Sequence, residues 1–237
     1  MGDFFRFKQF EVNQSSCGMK VTQDACAFGA LVNRDIDPYS ILDIGTGTGL
    51  LALMMAQKFE NSLIDAIEIN NEAYLQAVEN VKNSEWNDRI KLIKTRVQDY
   101  AHSVKDSYQM VVANPPFFSQ SLKSLNSNRR EAFHDDSLSM EELAEAVQLV
   151  LADNGVFWLM MPPNEMDKSV DLNARKGLYL KEVIHVSHNM NKKEHMRFCS
   201  FSKHDLNRVI EDRVLIYRNL DNKWTESFNQ LMEPYYL

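Results

Sequence analysis

Residues 41–50, reading Ile-Leu-Asp-Ile-Gly-Thr-Gly-Thr-Gly-Leu, constrain this chain more than any other stretch. Three apolar residues around one acid make a buried strand. Gly45, Gly47 and Gly49 follow at alternate positions, and Leu50, Leu51, Leu53, Met54 and Met55 then recur at helical spacing. The unit is strand, tight glycine turn, helix. Glycine serves where the backbone takes φ > 0 or a ligand comes within van der Waals distance, so this turn is expected to lie against a bound molecule. A phosphate loop would end in Gly-Lys-Ser/Thr, which is absent. The dinucleotide fingerprint puts two residues before its third glycine, where this loop has one.

What remains, Asp-x-Gly-x-Gly-x-Gly, resembles the first motif of the class I S-adenosylmethionine (SAM) methyltransferases. The resemblance implies that the loop of Gly45, Thr46, Gly47 and Gly49 passes under the methionine and ribose parts of the cofactor, with Asp43 near its amino group. The alternative is a plain strand-to-helix turn, which three glycines behind a strand aspartate make the weaker reading.

The rest of the chain alternates strands and helices. Strands are expected over 62–69, 90–95, 110–113 and 155–161, and helices over 25–32, 71–83, 140–151 and 165–176, with Thr22 or Asp24 capping the first. Residues 178–186 and 196–201 read as an antiparallel pair at a sheet edge. Residues 214–217 read as strand-like, before a helix carrying Trp224, Phe228 and Leu231. This order predicts a single α/β domain over 1–237, Rossmann-like, with a mostly parallel seven-stranded sheet, an antiparallel edge strand and helices on both faces. Ligands of such sheets bind at the carboxyl ends of the strands. At the start, Phe and charged residues alternate from Phe5 to Phe10, the period of one half-buried strand packed on the body.

Composition narrows the function classes. The 237 residues carry a net charge of -7, against nucleic-acid binding by bulk charge, so any such contact needs local basic patches. Cys17, Cys26 and Cys199 have neither disulfide nor zinc spacing, and His102, His185, His188 and His204 lack ligand spacing, so no metal is expected. No signal segment or membrane span is read, which predicts a cytoplasmic protein.

Two further signals bear on chemistry. Glu68 ends the second strand, where a ribose-binding carboxylate belongs, with Ile69 beside it. Asn114-Pro115-Pro116-Phe117 follows the apolar strand 110–113. Two prolines fix the backbone and remove two N–H donors. The Asn114 oxygen and the Pro115 carbonyl can then both accept from one planar NH2 group while Phe117 stacks on its ring. That suits methylation of an exocyclic amine by positioning and electrostatics.

Asn-Pro-Pro-Phe/Tyr at this place resembles the hallmark of the methyltransferases acting on adenine N6, guanine N2 and the glutamine amide of release factors. Within that group, Phe5-Arg6-Phe7-Lys8-Gln9-Phe10 and Cys17-Gly18-Met19-Lys20-Val21-Thr22-Gln23-Asp24 closely resemble the start of the bacterial tRNA1(Val) (adenine-37-N6)-methyltransferases, Phe-x-Phe-Lys-Gln-Phe and Cys-Ala-Met-Lys-Val-Gly-Thr-Asp. Leu-Leu-Ala-Leu-Met (50–54), Ala-Val-Glu-Asn-Val (77–81) and Trp-x-x-Arg-Ile (86–90) extend the match. The resemblance implies a monomeric SAM-dependent enzyme modifying the tRNA adenine beside the anticodon. It also implies an arm over 1–38 covering the site, with Met19, Lys20 and Thr22 over the methionine end of the cofactor. Where the family has an acid facing the cofactor adenine this chain has Arg96, which leaves Asp99 or backbone groups near Val97 as candidates.

A release-factor glutamine methyltransferase would carry a helical domain ahead of the glycine motif, and forty residues precede it in this sequence. A DNA adenine methyltransferase would need a target-recognition domain. A SAM-fold RNA-binding protein without turnover is the non-enzymatic alternative. Residues 119–136, with Lys123, Arg129, Arg130, Phe133 and His134, and a second group of Lys192, Lys193, His195, Arg197 and Lys203, are candidate RNA contacts by charge and stacking.

Overall fold

The computed structural model describes residues 3–15, 20–32, 36–115, 138–205 and 211–237. Its centre is a set of strands that, apart from the half-polar edge strand β5, are largely apolar on both faces, a pattern that buries only between two helical layers. They are β3 (Ser40–Ile44), β4 (Leu63–Glu68), β5 (Ile90–Lys94), β6 (Tyr108–Ala113) and β7 (Leu151–Met161). With β8 (Tyr179–Asn189), β9 (Met196–Ser202) and β10 (Glu211–Arg218) they make an eight-stranded sheet ordered β10-β8-β9-β7-β6-β3-β4-β5.

The two faces follow the strand period. Ile41, Met110, Val112 and Trp158 pack with α1 (Gln23–Leu31), α2 (Leu50–Lys58) and α7 (Glu226–Met232). Leu42, Val111, Phe157 and Leu159 pack with α4 (Val97–Ser103), α5 (Met140–Val150) and α6 (Pro163–Arg175). Helix α3 (Asn71–Lys82) follows β4.

Side chains set the helix starts. Thr22, Asn70 and Thr225 accept from the N–H three residues on, which satisfies a donor the helix itself leaves unpaired. At α5 the device is reciprocal: Ser139 accepts from the Glu142 N–H, and Glu142 accepts from the Ser139 N–H. Ser139→Ala is expected to cost about 1 kcal/mol, a fall in Tm of about 2–4 °C for a chain of this size. Thermal unfolding followed by circular dichroism checks it, and an unchanged Tm would deny the cap that weight.

The sheet differs from expectation in count and in the place of its antiparallel strand. It has eight strands, and β9 lies inside, between β7 and β8. The crossover from β7 through α6 sets β8 down two places from β7, which leaves a gap of one strand between them. The short turn after β8 forces β9 to return antiparallel into that gap. The tail strand β10 then pairs parallel with β8 and becomes the edge. The N-terminal segment is a hairpin, β1 (Phe4–Arg6) with β2 (Glu11–Asn13), not one strand. The Phe7 N–H donates to the Phe10 carbonyl at 2.9 Å and the two rings stack at 4.3 Å, so burying both phenylalanines bends the chain between them. Trp224 precedes α7, because Thr225 is its cap. Helix α4 was not expected; seven residues give little periodicity to read.

Candidate active site

Strand register brings four chain ends into one row. Ile44 pairs with Ala113 on one side and Ile67 on the other, and Glu68 pairs with Lys94. Asn114, Gly45, Glu68 and Lys94 therefore lie side by side at the carboxyl edge of the sheet. Between β3 and β6 the chain order reverses, the crevice where open α/β sheets take ligands.

The glycine loop is held from beneath. The Gly45 and Thr46 N–H groups donate to the Ile67 carbonyl at 2.9 and 3.0 Å. Asp43 is fully buried, and its Oδ2 accepts from Thr46 Oγ1 at 2.5 Å and from the Ala52 N–H at 3.1 Å. Burial pushes its carboxyl up to about 7, against the lowering effect of those two bonds. Its Oδ1 has no partner among the described residues. Gly45 and Gly47 sit at φ 69° and 58°, and a Cβ built on either would meet nothing within 4 Å. Both glycines thus meet a conformational need and leave open space above the loop. Glu68 closes the far side: its Oε2 accepts from the Gly47 N–H at 2.9 Å and its Oε1 from the Asn70 N–H at 2.8 Å. Each oxygen keeps a lone pair for another donor.

Asn114 follows β6, with Pro115 buried after it. The Asn114 Oδ1 is buried and has no hydrogen-bond partner among the described residues. Leaving a buried acceptor unmet costs about 1–3 kcal/mol, and such cost gathers where a ligand will meet it. Ile69 is 39% exposed beyond Glu68, Val97 is buried at the start of α4, and Asp99 is exposed in its first turn. Thr22 caps α1, and Lys20 Nζ donates to the Gln14 carbonyl at 3.1 Å. Met19, Cys17 and Phe117, and the loop 119–136, lie outside the described residues.

Sequence reasoning passed over Asn80. Buried on α3, it donates through Nδ2 to the Thr48 carbonyl at 2.8 Å and to the Asn13 carbonyl at 2.9 Å, and accepts the Asn13 N–H at 2.9 Å. One amide thus joins the glycine loop to the N-terminal hairpin. The only sequence signal was a polar residue on the apolar stripe of α3.

The second basic group divides. Arg197 is bound to Glu194 at 2.7 Å and Asp167 at 2.5 Å, and Lys203 to Asp106 at 2.7 Å. His195 is bound to Asp24 at 2.9 Å. Carboxylates brought up by neighbouring elements occupy these three, while Lys192 and Lys193 are exposed. Cys26 and Cys199 are free and buried. Among the described residues no cluster of three or more His, Cys, Asp or Glu is arranged to hold a metal ion, and no helix is long and apolar enough to cross a membrane.

Comparison with known proteins bears on the family and the fold. The family model described as the methyltransferase small domain matches residues 30–166. A tRNA1(Val) (adenine(37)-N6)-methyltransferase of Cytophaga hutchinsonii is 38% identical over 99% of this chain and 98% of its own. The protein of that name from Christiangramia forsetii is 34% identical over 98% and 97%. Among solved structures, a predicted O-methyltransferase from Agrobacterium tumefaciens superposes with a TM-score of 0.71 at 16% identity, over 90% of this chain and 96% of that one, a likeness of fold.

Proposed function

The chain belongs to the tRNA1(Val) (adenine(37)-N6)-methyltransferase family, and on that premise we propose that Asn114 and Pro115 hold the exocyclic amine of a tRNA adenine, adenine 37 of tRNA1(Val), for methylation. It is a methyltransferase, and its donor is SAM, which supplies an electrophilic methyl group on a sulfonium when bound. The observation that carries the residue assignment is the Asn114 Oδ1 beside the glycine loop at the switch point, buried and unpartnered among the described residues.

The residues present suit the cofactor. The open space above Gly45 and Gly47 admits a ligand close to backbone. Glu68, with its spare lone pairs, takes the ribose hydroxyls. Asp43 below the loop offers a carboxylate to the cationic methionine end, and Thr46 and Gly49 hold the loop's shape. Ile69, Val97 and Asp99 border the adenine, and Lys20 and Thr22 close over the methionine end from the arm 1–38, within one domain. Glu68→Gln keeps one acceptor oxygen and sets an NH2 against a backbone N–H. It is expected to weaken SAM binding about tenfold, or about 1.4 kcal/mol, by isothermal titration calorimetry; unchanged affinity would remove Glu68 from the ribose site.

For the chemical step, Asn114 Oδ1 accepts one N–H of the substrate amine and the Pro115 carbonyl the other. The nitrogen lone pair is thereby turned toward the incoming methyl group. The neutral amine needs no base beforehand, and the proton in excess on the methylated nitrogen passes to water, so the residues contribute positioning and electrostatics. Reaching this clamp requires the adenine to leave its stack. We assign the protein to the cytoplasm and to a monomeric state.

The test is transfer of radiolabelled methyl from SAM to unmodified total tRNA, release factor and duplex DNA in parallel, followed by nucleoside analysis. N6-methyladenosine in one tRNA is expected. Label on the release factor alone would overturn the substrate, and no label on any of the three would overturn turnover.

A further inference from the structure

The sheet edge on the other side of Asn114 from the glycine loop carries a second constellation. Because β9 runs antiparallel, its start lies at the edge where its parallel neighbours end. Arg197 pairs with Met161, the last residue of β7, and Met196 with Val186. In the order β9-β7-β6 the start of β9 is two places from Asn114, about 10 Å at the usual strand spacing.

There, three distant parts of the chain fix one imidazole. His195 Nε2 lies 2.9 Å from Asp24 Oδ1 at the start of α1, and the Tyr217 hydroxyl of β10 donates to the same oxygen at 2.6 Å. Burial pushes the Asp24 carboxyl up, but the bonds to His195 and Tyr217 outweigh it and hold it below its ordinary value. An ionised Asp24 places the imidazole proton on Nε2 and sets the ring plane. His188 stacks on this ring, with centroids 3.7 Å apart and planes 13° from parallel. Partial desolvation and the adjacent His195 hold His188 below the ordinary imidazole value. His188 is exposed, while His195 keeps 22% of its side chain in solvent. One face of His188 is covered by His195 and the Tyr217 ring lies 6.0 Å away, yet the residue as a whole is exposed to solvent.

The turn between the two histidines is also fixed. The Asn191 N–H donates to Asn189 Oδ1 at 3.0 Å, the Lys192 N–H to the Asn189 carbonyl at 3.0 Å, and the His195 N–H to the Val186 carbonyl at 2.9 Å. Lys192 and Lys193 project from it, adjacent exposed cations on a chain of net charge -7.

Resting on the reading of the site as a tRNA methyltransferase, we propose that the His188–His195 stack is a platform on which a nucleobase flanking the target adenine lies, with Lys192 and Lys193 on the neighbouring phosphates. The Asp24–His195–Tyr217 bonds join α1 to β10 without His188, so the fold does not require an outer, solvent-facing ring. Loop RNA is held by aromatic faces together with local cations, and each stacked base contributes about 1–3 kcal/mol. A platform whose inner ring is immobilised before binding loses little entropy on meeting the base.

The experiment is fluorescence anisotropy of a labelled, unmodified anticodon stem-loop RNA with the full chain, beside steady-state methylation of the same RNA. His188→Ala is expected to raise the RNA Kd and KM about tenfold, with SAM affinity as in the wild type. His188→Phe should restore most of the loss, because a flat aromatic face suffices. Changing both Lys192 and Lys193 to Glu should weaken binding and reduce its salt dependence, the slope falling by about 0.7 for each phosphate no longer neutralised. If the wild type methylates the RNA and His188→Ala binds it equally well, the platform is overturned while the activity stands. If the wild type neither binds nor methylates it, both fall.

Discussion

Asn114→Ala is expected to lower kcat by about 10²–10³-fold, the loss typical of removing one preorganised polar group from a reacting centre, while the Kd for SAM stays within about twofold. The split follows from where the side chain stands. Asn114 leaves β6 beside Gly45, but the loop is held by Asp43, Glu68 and the Ile67 carbonyl. Removing the amide therefore leaves the cofactor cradle in place. Stability should move the other way from activity. The Asn114 Oδ1 is buried without a partner among the described residues, so deleting it relieves a cost of about 1–3 kcal/mol. The variant is expected to melt no lower than the wild type. Single-turnover methylation, SAM titration and thermal unfolding on one preparation decide it. Near-normal turnover would end the amine clamp, and a large fall in Tm would recast Asn114 as structural.

The parts of this site that were legible in the sequence are those made within one short stretch. Asp43, Thr46 and Ala52 interact within nine residues, and the loop's positive φ values fall on glycines. Asn114 and Pro115 follow a strand apolar enough to read without partners. Glu68 was legible through its distance from the loop, although its bonds to the Gly47 and Asn70 N–H groups were not. What escaped notice joins residues far apart in the chain. Asp24 meets His195 across 171 positions and Tyr217 across 193, and Asn13 meets Asn80 across 67. No periodicity encodes such pairs; only the packed sheet brings them together. The eighth strand escaped for a related reason. Residues 214–217 read as strand-like, but their place beside β8 depends on β9 having already filled the gap next to β7.

Asp43 is expected to couple cofactor binding, fold stability and pH. Its carboxyl, raised by burial to about 7 from an ordinary value of 3.8, holds its proton more tightly folded than unfolded. The stability this contributes is therefore complete below about pH 4 and is lost as pH rises through about 7, to a limit on the order of 4 kcal/mol. Asp43→Asn keeps an acceptor for the Thr46 hydroxyl and the Ala52 N–H without the titration. Its urea unfolding should be flat where the wild type weakens between pH 5 and about 7. A cofactor bearing a sulfonium and an α-ammonium favours the ionised carboxylate. SAM binding should then release a proton and tighten in the wild type as pH rises from about 5.5 to 7, below the range where the cofactor's own amino group titrates. For Asp43→Asn the affinity should not change across that window. Asp43→Ala leaves the Ala52 N–H and the Thr46 hydroxyl unmet at about 1–3 kcal/mol for each buried group, and should weaken SAM binding on the order of 100-fold. Calorimetry at several pH values separates these outcomes. Parallel pH profiles for the wild type and Asp43→Asn would show that Asp43 holds the loop without sensing the cofactor's charge.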